Sequence, residues 1–110
     1  MISIVIPVKH ERFLEKTISN IKKYQDNINE IIIIFDEDDP DFYAVDYPKD
    51  KLKTYLNIPR KGTSVSRDIG IELASYDCIL QTDAHVLFNK KGFDTYLLEQ
   101  HKKYPNDILC

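Results

Sequence analysis

The sequence predicts an open α/β layer, a mainly parallel sheet of roughly four to five strands flanked by helices. Three observations predict it. Two runs, ISIVIPV and IIIIF, are apolar without alternation; segments of helical periodicity fall between the strand candidates; and polar clusters (PVKHE, FDEDDPD and TDAHV) follow three of the strands at once. Unbroken β-branched runs mark strands covered on both faces, the condition of a parallel sheet. In such a layer ligands bind outside the carboxyl ends of the strands, so the three clusters are expected to meet along one edge.

The elements follow in chain order. ISIVIPV is the first strand, closed by Pro7. From Phe13 the positions Phe13, Leu14, Thr17, Ile18, Ile21 and Tyr24 recur at helical spacing, with Glu and Lys opposite, and the helix is expected to end near QDN. NEIIIIF is the second strand and runs into FDEDDPD, which completes a βαβ unit. FYAVDYPKDKL reads as loop with a short helical turn, and KTYLN as a third strand before the break at IPRKG. After Gly62, Thr63, Ser64 or Ser66 is expected to cap a helix whose inward stripe is Val65, Ile69, Leu73 and Ala74. Gly70 inside it costs about 1 kcal/mol against alanine unless close packing requires it. DCILQT is the fourth strand, GFDTYLLEQHKKY a last helix with Phe93, Tyr96, Leu97 and Gln100 in register, and NDILC the start of a fifth strand.

Totals narrow the function. A chain of 110 residues with 43% hydrophobic and 30% charged residues builds one globular domain, over residues 1–110. A formal net charge of -3 and the absence of a dense basic stripe argue against nucleic-acid binding. No apolar stretch approaches the roughly 20 residues of a membrane span, and MISIVIPVKHE lacks the features of a signal peptide, so a cytoplasmic location is expected. Cys78 and Cys110 form no CxxC pair, and Cys78 reads as a small core residue.

The stretch QTDAHVLF sets Asp83 and His85 two positions apart after an apolar run. In extended backbone that spacing points both side chains to one side, where they would grip a divalent cation together. The alternative is ordinary turn chemistry, Asp83 capping a turn and His85 solvated.

Taken in order, IPVKHE, EIIIIFDEDD, KGTSVSRDIGIELA and YDCILQTDAH resemble the nucleotide-sugar-binding half of family 2 glycosyltransferases, from Ile2 to the end of the chain. The resemblance implies a Rossmann-like GT-A fold and a nucleotide diphosphate sugar, a UDP- or GDP-sugar, as partner. It implies Pro7 and Glu11 as the rim around base and ribose, Asp36 as the acceptor for a uracil or guanine N–H, Asp38 in the same acidic loop, and Arg67 on the phosphates. DAH replaces the family's usual DxD. A DxH form occurs in the polypeptide N-acetylgalactosaminyltransferases, where both side chains ligate manganese, so Asp83 and His85 are implied as ligands of Mn2+, or of Mg2+. An imidazole ligand favours manganese.

In the family the general base comes from a second half beyond the fifth strand. This chain stops at Cys110, and a truncated donor-binding domain without an assignable base is expected. Its incomplete sheet edge would invite pairing with another copy. Two alternatives stand beside transfer of a sugar to an acceptor: a binding module without catalysis, and a nucleotidyltransferase. The latter usually opens with a glycine-rich loop after the first strand, and PVKHERF has no glycine.

Overall fold

A computed structural model describes residues 2–25, 28–76, 78–84 and 91–103. Four strands, β1 (Ile2–Val8), β2 (Ile28–Asp36), β3 (Leu52–Asn57) and β4 (Cys78–Gln81), pair in the order β3-β2-β1-β4, all parallel. The helices are α1 (Leu14–Tyr24), α2 (Thr63–Leu73) and α3 (Phe93–Lys103). The α/β reading is therefore met. The expected fifth strand at 106–110 lies outside the described residues.

The unbroken apolar runs are explained by two-sided burial. Ile2, Ile4, Ile6 and Val8 of β1 and Ile31, Ile33 and Phe35 of β2 pack with Leu14, Ile18 and Ile21 of α1. The alternate residues Val5, Ile32 and Ile34 pack on the other side against Ile69 and Leu73 of α2. Each buried side chain of this size contributes about 1.5–3 kcal/mol, so these two central strands dominate the stability. Cys78 is buried, as its apolar setting predicts.

The loop FYAVDYPKDKL carries two short 3-10 turns, Pro40–Phe42 and Lys49–Lys51. Three expectations need correction. The cap of α2 is Gly62 at φ 89°, not Thr63, Ser64 or Ser66. The chain turns into the helix through a left-handed residue, which glycine adopts without strain, and Ser66 is instead fully buried. Val65 is 43% exposed and leaves the inward stripe, which passes through Ser66, Ile69, Gly70 and Leu73. Gly70 is the reason: a Cβ there would meet Val5 Cγ1 at 2.2 Å, so the helix lies too close to β1 for any side chain at that position. Tyr96 of α3 is likewise exposed, while Asp94 is fully buried and Phe93 packs on the core.

α2 is fastened at its far end as well. Glu30, buried at the foot of β2, accepts from Ser3 Oγ at 2.9 Å and from Ser75 N at 2.8 Å, and pairs with Lys53 Nζ at 2.8 Å. Lys53 Nζ also donates to the Leu73 carbonyl at 2.8 Å. Among the described residues no helix is long and apolar enough to cross a membrane.

Candidate functional site

Because all four strands run the same way, their carboxyl ends share one rim. There a cleft of about 90 Å³ is lined by Pro7, Lys9 and Glu11 after β1, Asp36 ending β2, Arg60 and Thr63 before and at the start of α2, and Asp83 after β4. The expected meeting of three polar clusters thus takes place.

The loops after β1 and β2 each carry a left-handed, non-glycine residue, His10 at φ 53° and Glu37 at φ 51°. Such backbone is held by its hydrogen bonds. The Glu37 N–H donates to the Asn57 carbonyl at 2.8 Å, and the His10 N–H donates to Asp38 Oδ2 at 2.7 Å. Asp38 is only 7% exposed and does not line the cleft. It ties together the loops that do. Besides His10 it accepts from the Tyr43 hydroxyl at 2.6 Å and from Asp39 N at 2.9 Å, and Tyr43 in turn accepts from Glu11 N at 3.1 Å. Burial pushes the Asp38 carboxyl up, but these donors outweigh it and hold it below its ordinary value. Burial, together with the anion it faces, pushes the Tyr43 hydroxyl up to about 12.

Asp36, 4% exposed, spends most of its capacity on the 60–62 segment. Oδ1 accepts from Lys61 N at 2.7 Å and, at 3.4 Å, from Asn57 Nδ2; Oδ2 accepts from Gly62 N at 2.9 Å, with Arg60 Nε at 3.6 Å. Burial pushes its carboxyl up, yet the two backbone donors, Asn57 and the Arg60 charge hold it low. A carboxylate has about four lone-pair positions, so three hydrogen bonds leave Asp36 one acceptor position. Sequence reasoning missed Asn57, Arg60, Lys9 and Tyr43; an asparagine ending a strand opposite an aspartate was the one available signal.

Arg67 and Asp83 meet directly: Arg67 Nη2 donates to Asp83 Oδ1 at 3.1 Å, the side chains being 37% and 48% exposed. The Arg67 Nε is buried and has no hydrogen-bond partner among the described residues. Asp83 is a half-exposed carboxylate just after β4, in one cleft with Glu11 and Asp36, and a carboxylate is a donor type that suits a hard divalent cation; the Oδ2 of Asp83 accepts no hydrogen bond among the described residues. Among those residues no group of three or more His, Cys, Asp or Glu side chains stands ready to hold a metal. His85, the second expected ligand, lies outside them.

Parallel strands flanked by helices, with polar strand ends gathered on one rim, match the GT-A-like glycosyltransferase fold of a solved structure. TarS of S. aureus, a solved structure, superposes with a TM-score of 0.74 over 92% of this chain at 17% identity. This chain spans 20% of the TarS chain. The family model for glycosyl transferase family 2 matches residues 3–110, and the chain belongs to that family. Comparison with curated protein sequences gave no match.

Proposed function

We propose that this chain is the donor-binding half of a glycosyltransferase that moves a sugar from a nucleotide diphosphate donor, a UDP- or GDP-sugar, to an acceptor. One observation carries the reading: the ends of β1, β2 and β4 bring Glu11, Asp36 and Asp83 into one cleft together with the cations Lys9 and Arg60. In this reading the base N–H takes the remaining acceptor position of Asp36, and Pro7 and Glu11 form the rim around base and ribose. Asp38 acts on the nucleotide by holding that rim in place through His10 and Tyr43. Lys9, Arg60 and Arg67 supply positive charge for the diphosphate.

Asp83 and His85 would hold Mn2+ or Mg2+, which when bound supplies Lewis-acid stabilisation of the leaving diphosphate. The catalytic base is assigned to no residue of this chain.

Calorimetric titration with UDP and with GDP, each with and without Mn2+, tests the reading. Manganese-dependent binding of one nucleotide is expected. No binding of either would show that the fold is present without the donor site.

A further inference from the structure

Two residues expected to hold ligands hold each other. A guanidinium carries five N–H donors, and Arg67 places one on Asp83 while its Nε–H sits away from water with no acceptor among the described residues. An ion pair this exposed contributes about 1 kcal/mol at most. An unmet buried donor costs about 1–3 kcal/mol. The present arrangement therefore leaves Arg67 under-satisfied, and what retains it is the charge of Asp83, which shares its cleft with Glu11 and Asp36.

We infer that Arg67 is an internal counter-cation for Asp83, occupying the carboxylate until an anionic ligand draws the guanidinium away. The inference rests on the donor-site reading above. A diphosphate offers the acceptors that Nε–H lacks, and when Arg67 turns to it, Oδ1 of Asp83 is released to a divalent cation. Charge stays matched at each stage: arginine on aspartate before, arginine on diphosphate and cation on aspartate after. The exchange makes Asp83 a weak cation ligand in the nucleotide-free protein and a stronger one once nucleotide has arrived. Arg67 is thus a positioning residue that sets the order of loading.

The test is Mn2+ binding to the full chain without nucleotide, followed by calorimetry or by the paramagnetic resonance of free Mn2+. Arg67→Met is expected to bind Mn2+ about fivefold more tightly than the wild type, the equivalent of one half-exposed ion pair. Arg60→Met removes the same charge without touching Asp83, and is expected to gain less. Adding Asp83→Asn to Arg67→Met should abolish the gain. A normal nucleotide-dependent Mn2+ isotherm, with Arg67→Met gaining no more than Arg60→Met, overturns the exchange alone. No Mn2+ binding by wild type saturated with either nucleotide overturns the metal reading of Asp83 and the exchange with it. Should Arg67→Met fold poorly, the wild-type protein answers by side-chain NMR. The Arg67 Nε–H resonance is expected to shift on adding UDP or GDP without metal, and a resonance unmoved while nucleotide binds overturns the exchange.

Discussion

The hydroxyl of Tyr43 lies 2.6 Å from Oδ2 of Asp38 and donates to it, while accepting from the backbone N–H of Glu11 at 3.1 Å. One phenol therefore joins the acidic loop after β2 to the loop after β1, and the rim of the cleft depends on it. Tyr43→Phe removes both the donor to Asp38 and the acceptor for the Glu11 N–H, and is expected to cost about 1–2 kcal/mol in urea unfolding. Asp38→Ala, which also releases left-handed His10 and Asp39, should cost more, about 3 kcal/mol. Equal stability of wild type and Asp38→Ala would refute the tie.

Gly70→Ala sets helix propensity against packing. Alanine gains about 1 kcal/mol as a helix former. The added methyl would lie 2.2 Å from Val5 Cγ1, in a strand buried on both faces, and overpacking of this kind costs about 1–3 kcal/mol. A net loss is expected, with partial rescue when Val5→Ala is combined with it. Stabilisation by Gly70→Ala alone would show that α2 stands farther from β1 than described.

Acid should unfold the protein through three buried carboxylates. Glu30, Asp36 and Asp38 all titrate below their ordinary values of 4.5, 3.8 and 3.8. In each, burial raises the value and hydrogen-bond donors outweigh it; for Glu30 these include Lys53 and Ser75. With folded values lower than unfolded ones, the unfolded chain takes up protons first as pH falls. Their contribution is complete above about pH 5, declines through the ordinary carboxylate range and is lost below the folded values. Urea midpoints measured from about pH 7 to about pH 2.5 should trace this fall, and Asp36→Asn should make it shallower. A flat profile would count against these networks.

Asp83→Ala and His85→Ala are each expected to weaken manganese-dependent nucleotide binding by about a hundredfold, at the upper end of what loss of metal-site support produces. Thermal unfolding of Asp83→Ala should stay close to wild type, since its carboxylate is half exposed and carries no buried network. Unchanged affinity in both variants would return the pair to ordinary turn chemistry.

Much of this fold is written locally. Ile31 to Phe35 could only be a strand buried on both faces, and the polar residues that follow could only lie at its carboxyl end, so the position of the cleft was readable. Gly70 was legible only as a cost unless close packing required it, and its approach to Val5 supplies that requirement. What stayed hidden was partnership across distance. Asp36 takes its hydrogen bonds from Lys61 and Gly62, about a quarter of the chain away, and Asp38 from His10 on the preceding loop. No local pattern marks a carboxylate as already engaged. Arg67 and Asp83 were each legible as ligands for something, and their pairing with each other was not. Val65 and Tyr96 were misplaced because helical spacing defines a stripe only to within one position, and packing against a neighbour selects which residues face inward.

The fastening of α2 limits how this site is able to move. The chain entering the helix is pinned by Asp36 on the Gly62 N–H, its middle lies against Val5 with no room for a methyl, and its end is held by Lys53 and Glu30 through Leu73 and Ser75. Sliding or tilting such a helix means breaking contacts at both ends of the same strand at once, so its amides should exchange with solvent only when the whole domain opens. Motion available to Arg67 is then rotation about its own side-chain bonds, over picoseconds to nanoseconds rather than the microseconds or longer of a helix shift. A guanidinium on a fixed post changes partners quickly, and the rate of loading is left to the arrival of the ligand.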